Sequence, residues 1–516
     1  MKIVTSSEMY AIEEKCEISG LISRFKMMDN AGREIAEQTV RMFPDIGKKK
    51  VLIICGKGNN GGDGLVAARY FSRLGVKTQI IILSDRKNLS VLSKKNLSLL
   101  SGKKGIKILE VRNSTEMPGN LKSFDTIIDA ILGTGFSGEV RGLYKQAIEQ
   151  INSSEAFKIS VDIPSGLDSD SGRAKLCVMA DRTFTLGAPK QGLFFLKGIE
   201  ASGKVEVLDI GINKCIPKDV KLDLVTRNDI HHFSERKIDS HKGLYGNVLI
   251  IAGSPGFTGA AALAGNGALY SGSGLITVGV PKSISKIMAL KFTEVMAKPL
   301  AETKTGSFSL KAYNEIMGIK KKIDAVAIGP GISRQPETLN FARKIIQNIK
   351  APLVVDADSI FALKGHTGIL NKRKSLTVLT PHTGEMSFLT GLSVKEINSD
   401  RLNIAKNFSK ERNVALVLKG ARTIIAFPDG KTWINQTGNA GMAKGGSGDV
   451  LTGMIVSFIG QKIEFGLAIR TAVYLHGLAG DLAKTEKGEI SMTPTDLIKR
   501  LPEAFRMNQG KEMLTR

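Results

Sequence analysis

The sequence predicts an α/β protein of two domains, each built on a largely parallel sheet flanked by helices. Three observations carry that expectation. Short Val/Ile/Leu runs alternate with longer helical segments along the chain, the pattern of strands joined by crossover helices. Two such series are separated by a charged stretch of weak periodicity, GINKCIPKDVKLDLVTRNDI at 211–230. Each half also carries a glycine-rich turn that runs into an apolar helix, an arrangement suited to binding anions.

In the first half the strands are VLIIC (51–55), TQIIIL (78–83), DTIIDA (125–130), KISVDI (158–163) and VEVLDI (205–210). Helical periodicity covers Met27–Met42, Gly64–Leu74 and Gly142–Ile151. Unbroken apolar strands imply burial on both faces, hence a doubly wound, Rossmann-like sheet. The second series runs through NVLIIAG (247–253), LITVGV (275–280), DAVAIG (324–329), PLVVDA (352–357), LTVLT (376–380) and VALVLKG (414–420). The length of 516 residues exceeds the ~100–200 of one domain, and the expected domains are 1–222 and 223–516. The two series are not repeats of one another, because their loop motifs differ.

Composition narrows the class. The formal charge is +24, from 73 Lys and Arg against 49 Asp and Glu. The basic residues are dispersed in short runs such as Lys48–Lys50 and Lys320–Lys322, with no basic tail and few aromatics. That favours a solvated lysine-rich surface that attracts anionic ligands over a nucleic-acid interface. No apolar run approaches the ~20 residues of a membrane span. The start MKIVTSSEMYAIEEK lacks the basic and apolar regions of a secretory signal, so a cytoplasmic location is expected. The four cysteines, Cys16, Cys55, Cys177 and Cys215, form neither a C-x-x-C pair nor a zinc spacing. Their plain reading is a reducing compartment with no disulfide framework.

Strand 51–55 leads directly into Gly56-Lys57-Gly58-Asn59-Asn60-Gly61-Gly62-Asp63-Gly64. Glycines let the backbone approach an anion, and helix N-terminal amides face it. Two asparagines and an aspartate among five glycines exceed what a tight turn requires. Two further polar loops follow later strands: DAILGTGFSGE, Asp129–Glu139, and VDIPSGLDSDSG, Val161–Gly172. Asp162 at a strand end is either a general base or the cap of the following turn.

Together MMDNAGREIAE, GKGNNGGDG, DAILGTGFSGEVRG and VDIPSGLDSDSG resemble the NAD(P)HX epimerases, which interconvert the R and S epimers of hydrated NADH or NADPH. The resemblance covers roughly 1–220. It implies substrate contacts from Asn59, Asn60, Gly61, Gly62 and Asp63, from Gly133, Thr134, Gly135, Phe136, Ser137, Gly138 and Glu139, and from Asp162. It also implies a potassium ion held by Asn60, Asp129 and Ser165, whose oxygen donors suit a hard cation.

In the second half GMAKGGSGDVLTGMIVSFIG (441–460) places Gly445, Gly446 and Gly448 ahead of an apolar helix and Asp449 in its first turn. Such amides stabilise a transferring phosphoryl group, and such a carboxylate can take a hydroxyl proton. The motif resembles that of ribokinase-like enzymes. With SHKGLYGNVLIIAGS, TGAAALAGNGALYSGSG, GPGIS, DADSI, TPHTGEM and LKGARTII in order, 223–516 is similar to the NAD(P)HX dehydratases, which restore NAD(P)H using a nucleotide. The resemblance assigns Lys419, Gly420, Ala421, Arg422, Thr423 and Gly448 to the nucleotide. It gives Ala260, Gly331, His382 and Asp449 to the hydrated nicotinamide. Asp449 is the expected base and Mg²⁺ with ADP or ATP the expected co-substrate. Ala440 stands where relatives often have Pro, so a looser turn is expected there.

One domain equilibrates the epimers and the other consumes one of them, so their fusion makes a complete repair enzyme and a homo-oligomer is plausible. A vitamin or sugar kinase fused to a regulatory domain would need a lid for a small alcohol. An RNA- or protein-binding scaffold would leave Asp449 unexplained.

Overall fold

The computed structural model describes residues 1–319 and 322–509. Lys320 and Lys321 of the basic run, and the last seven residues of the second expected domain, lie outside them. The chain divides into two compact units, Lys2–Val220 and Lys221–Arg516, the latter taking in Met1.

The first unit is a seven-stranded parallel sheet: β1 Val51–Cys55, β2 Thr78–Ile82, β3 Ile106–Glu110, β4 Thr126–Ala130, β5 Phe157–Val161, β6 Arg182–Leu186 and β7 Lys204–Leu208. Its order is β3-β2-β1-β4-β5-β6-β7. The direction of winding reverses between β1 and β4, where open α/β sheets gather ligands beyond their strand ends. Successive residues of each strand feed opposite faces. Ile53, Ile80 and Ile128 enter a core with Met27, Ile35 and Phe71, whereas Leu52, Ile54 and Ile127 meet Ala147, Ile148 and Ile151 on the other side. Three helices precede or follow β1: α1 Ser6–Ile18, α2 Arg24–Met42 and α3 Asn59–Arg73. α3 starts five residues before the apolar periodicity begins, so the sequence NNGGDG itself opens the helix, with Gly58 as its N-cap.

One expectation is corrected here. Cys16 and Cys215 are joined in a disulfide, with Cα atoms 5.9 Å apart and a sequence separation of 199. Cys16 lies on α1 and Cys215 in the turn after β7, both buried. No spacing rule finds such a pair, because only the fold brings α1 back beside that turn. Cys55 and Cys177 are free thiols.

The second unit is a ten-stranded sheet: β8 Leu222–Leu224, β9 Asn247–Ile251, β10 Leu275–Pro281, β11 Met296–Leu300, β12 Ala325–Ile328, β13 Leu353–Val355, β14 Thr377–Leu379, β15 Ala415–Leu418, β16 Ile424–Ala426 and β17 Thr432–Ile434. The order is β11-β10-β9-β12-β13-β14-β15-β16-β17-β8. Pairing is parallel except for β15–β16 and β16–β17. Helices Thr258–Tyr270 and Ser447–Gly460 pack closely, their contact made possible by Gly267 and Gly453, where a Cβ would meet backbone of the other helix. The loops after β9, β12, β13, β14 and β15 carry the motifs of this half. Among the described residues no helix is long and apolar enough to cross a membrane.

Candidate active sites

In the first unit the loops after β1, β4, β5 and β6 close around a cavity of about 500 Å³, walled on the far side by α1 and α2. A Cβ on Gly61 would meet Gly56 O at 2.0 Å, so the first turn of α3 can seat on the β1 loop only without side chains. Asn59, Asn60, Asp63, Gly133, Thr134, Gly135, Phe136 and Asp162 all line the cavity. Gly61 and Gly62 lie in the buried turn behind it. Ser137, Gly138 and Glu139 do not reach the lining; Glu139 is solvent-facing and ion-paired with Lys175.

Asp162 departs from ordinary backbone geometry, with φ at +65°. Such strain in a non-glycine residue persists where the surroundings over-determine it, commonly at functional sites. The twist aims the carboxylate at the end of β6, where Leu186 N donates to Oδ1 at 3.0 Å. The ammonium of Lys190 forms an ion pair with the same oxygen and donates to Leu186 O at 2.8 Å. Lys190 has 1% of its side chain exposed. It is a site residue that sequence reasoning missed, since a lone lysine in GAPKQG matches no spacing rule. Glu13 of α1 and Asp63 of α3 also face the cavity. Burial, reinforced by Asp162 and Glu13, holds the Asp63 carboxyl well above the ordinary range. Burial raises Glu13 too, against the pull of Lys190.

Behind this wall Asp129 is fully buried and accepts hydrogen bonds from Ser165 N at 2.9 Å, Ser165 Oγ at 2.5 Å and Ser160 Oγ at 2.8 Å. Burial raises its pKa and the Ser165 hydrogen bonds oppose the rise. Asn60 Nδ2 donates to Leu132 O at 3.0 Å, an oxygen that Ser165 Oγ also approaches at 3.2 Å. Asn60 Oδ1 is buried with no partner. An orphaned amide oxygen beside a carbonyl, a hydroxyl and a carboxylate is a donor set for a hard, weakly polarising cation.

In the second unit four motif loops converge on one partly buried cation. Lys419 Nζ lies 2.7 Å from Asp356 Oδ1 and 3.8 Å from Glu385 Oε2. Thr452 Oγ1 donates to Asp356 Oδ2 at 2.7 Å, tying the β13 loop to the helix Ser447–Gly460. A Cβ on Gly448 would stand 3.1 Å from Lys419 Nζ, which places that amide turn over the pair. Gly446 takes φ +101° as the helix N-cap, and its missing side chain leaves room for Leu263. Burial and then the Asp356 charge raise Asp449 to about 7, with Lys419 opposing them. The buried His476, lowered to about 4 by burial, is hydrogen-bonded through Nε2 to Ser447 O at 2.9 Å and so anchors the turn from below.

The other expected residues take distinct places. Gly331 sits against Phe257 and Ala260, and Ser254 Oγ donates to Gly331 O at 2.8 Å. His382 caps the helix Thr383–Thr390 reciprocally with Glu385, which leaves its ring 58% exposed to a ligand. Gly420, Ala421, Arg422 and Thr423 form the β15–β16 turn. Arg401 grips that turn from behind, donating to Ala421 O at 2.7 Å and to Leu418 O and Lys419 O at 3.2 Å. Sequence reasoning missed Arg401, Asp356, Glu385 and His476 as site groups, although DADSI and PHTGE already held two of them. The turn expected to be loose at Ala440 is instead tied: Asn439 Oδ1 accepts from Gly441 N at 3.0 Å, and Lys444 Nζ donates to Ile490 O and Met492 O at 2.6 Å. Ser333, Ala357 and Arg422 in these loops share the positive φ of Asp162.

Comparison with known proteins divides the chain in the same way. Residues 24–192 match the family model described as YjeF-related protein N-terminus. Residues 248–503 match the model described as NAD(P)H-hydrate dehydratase. The bifunctional NAD(P)H-hydrate repair enzyme Nnr of Moorella thermoacetica is 39% identical over 98% of this chain and 97% of its own length. The enzyme of the same name from Thermofilum pendens is 36% identical over 98% and 96%. Among solved structures, an ADP/ATP-dependent NAD(P)H-hydrate dehydratase from Bacillus subtilis, co-crystallised with ATP and Mg²⁺, aligns with a TM-score of 0.50 and 32% identity. It covers 55% of this chain and 98% of its own.

Proposed function

The chain belongs to the bifunctional NAD(P)H-hydrate repair enzymes, and on that premise we propose how its two sites divide the work. The first unit epimerises (R)- and (S)-NAD(P)HX, and the second dehydrates the S epimer to NAD(P)H at the expense of a nucleotide. The observation that carries the reading is the pairing, in one chain matched end to end by such enzymes, of a carboxylate-lined cavity with a glycine turn that presents Asp449.

For dehydration we assign the nucleotide to the turn Lys419–Thr423 and the Gly448 amide, and the hydrated ring to Ala260, Gly331 and His382. Asp449 removes the proton of the C6 hydroxyl, whose oxygen then attacks the terminal phosphorus of the nucleotide. The amides of Ser447–Asp449 and the Lys419 ammonium offset the charge that develops there. Phosphate then leaves C6, and loss of a C5 proton restores the dihydropyridine. With ADP the products are AMP and phosphate. Mg²⁺ would come with the nucleotide phosphates, and Glu385, 3.8 Å from Lys419, is a carboxylate that could supply it a protein oxygen.

In the first unit Asp162 is the assigned base, positioned by Lys190. Asn60, Asp129 and Ser165 are the assigned potassium ligands, and the unpartnered Asn60 Oδ1 supports that assignment. When bound, the ion would supply local positive charge to the site. Nicotinamide cofactors are intracellular, which supports a cytoplasmic location, and a homo-oligomer is the assembly we assign.

The test is the growth of dihydronicotinamide absorbance from a mixture of both NADHX epimers with Mg²⁺, K⁺ and either ADP or ATP. Full, nucleotide-dependent recovery faster than spontaneous epimerisation is expected. Recovery of one epimer alone would remove the epimerase assignment, and no recovery with either nucleotide would remove both.

A further inference from the structure

We propose that Asp63 is the proton donor of the epimerisation, acting on the same substrate ring as the base Asp162. The proposal rests on the epimerase reading above and adds the second half of its acid–base pair.

Asp63 is buried just past the first turn of α3, faces the cavity, and makes no hydrogen bond or ion pair among the described residues. A buried carboxyl without a partner is costly, and such groups call for a functional explanation. The titratable groups that line the same cavity are Tyr10 and Glu13 of α1, Arg24 of α2, Lys57 after β1, Tyr144 beyond β4, and Asp162 and Lys190 after β5 and β6. Arg24 is engaged by Glu17 at 2.8 Å. Lys190 is engaged by Asp162. Three carboxyls therefore share one buried ammonium, in a cavity that must also admit a pyrophosphate-bearing substrate. Like charges in one site cannot all ionise; Glu13 and Asp63 both lack a counter-ion among the described residues, and Asp63, the more deeply buried of the two, is the one that keeps its proton. The positive end of α3 works the other way, but its effect is small beside burial among two carboxyls. Two carboxyls whose surroundings separate their roles mark the acid and the base.

The chemistry balances without any further reagent. Asp162 takes the proton of the C6 hydroxyl while Asp63 gives its proton to ring nitrogen N1. The O–H electron pair becomes the second bond of a C6 carbonyl, and the C6–N1 pair goes to nitrogen. The opened aldehyde rotates about C5–C6. N1 then attacks the opposite face, its proton returns to Asp63, and the proton on Asp162 returns to oxygen. The other epimer results, with both carboxyls as they began.

The experiment follows conversion of (R)- to (S)-NADHX by the full chain without nucleotide, so that dehydration is silent. Asp63→Asn is expected to lower kcat by roughly 10²-fold or more, with KM within about threefold. Asp63→Glu is expected to recover part of the rate. Far-ultraviolet circular dichroism and a wild-type-like melting transition of the first unit report that the variant is folded. Full epimerisation by Asp63→Asn would overturn the proposal. If that variant does not fold, the wild-type pH profile decides: kcat must fall as pH rises and a cavity acid loses its proton. A flat profile would overturn the proposal, as would loss of the falling limb in Glu13→Gln. Absence of epimerisation by the wild-type chain would instead remove the epimerase reading itself.

Discussion

Asp356 and Lys419 meet at 2.7 Å beneath the Gly448 turn, and their pairing leaves Asp449 without a counter-charge of its own. The second Asp356 oxygen is held by Thr452, so the pair is fixed from two strand ends and a helix at once. Asp449 therefore sits partly buried next to one carboxylate already matched to the Lys419 ammonium, which is the setting that lifts its pKa to about 7.

A base must be deprotonated to act, so dehydration should rise with pH through about 7 and level off above it. Asp449→Asn should lower dehydration by roughly 10²–10⁴-fold and leave epimerisation intact. The same variant should be more stable. A carboxyl whose pKa is raised by folding destabilises the fold as pH climbs from its unfolded value, 3.8, to about 7. Asn removes that penalty, so its melting temperature should exceed wild type at pH 8 and match it near pH 3. Equal melting temperatures at pH 8 would mean that Asp449 carries no such strain.

Lys190→Met should leave Asp162 buried beside β6 with no counter-ion, at a cost of ~3–5 kcal/mol to the first unit. Epimerisation should be lost while nucleotide-dependent turnover of (S)-NADHX survives, read by the same absorbance assay on the pure S epimer. Retained epimerisation would show that the ion pair neither positions nor supports Asp162.

Arg401 holds three carbonyls of the nucleotide turn with one planar fork, a geometry that lysine cannot copy. Arg401→Lys should raise KM for the nucleotide about tenfold, the equivalent of ~1.4 kcal/mol, and change KM for NADHX little. Steady-state titration of each substrate in turn separates the two. A pure fall in kcat would place the effect elsewhere.

Cys16→Ser should destabilise the first unit by about 2–5 kcal/mol through the unfolded chain it no longer constrains. Alkylation under denaturing, non-reducing conditions should label two of the four cysteines in wild type, and all four after reduction. Four labelled thiols without reduction would remove the disulfide.

The parts of the fold that could be read in advance are those where local chemistry is one-sided. β1 is an unbroken apolar run, β4 and β9 are mainly apolar, all three are largely buried, and they lie where the sequence places them. β3 was not anticipated because it is an edge strand, IKILE, half exposed, with Lys107 among its side chains. β6 was not because RTFTL mixes two threonines into the core, where Thr183 satisfies its hydroxyl on Ser202 O at 2.8 Å. At the sites, Asp449 and Asp162 announce themselves through neighbouring glycines. Glu13, Lys190 and Arg401 do not, because each reaches its site from an element far away in sequence. The asparagines of NNGGDG read as loop although they open α3, since glycine and asparagine disfavour a helix interior but not its first turn.

The bond between Cys16 and Cys215 also changes what a protease can do to this molecule. Residues 16–215 form a covalent ring, and a ring cut once is still one piece. The exposed stretch Arg112–Glu116, beyond β3, is an obvious place for such a cut. A chain nicked there should run as a single band on a non-reducing gel and separate into two only when a thiol reductant is added.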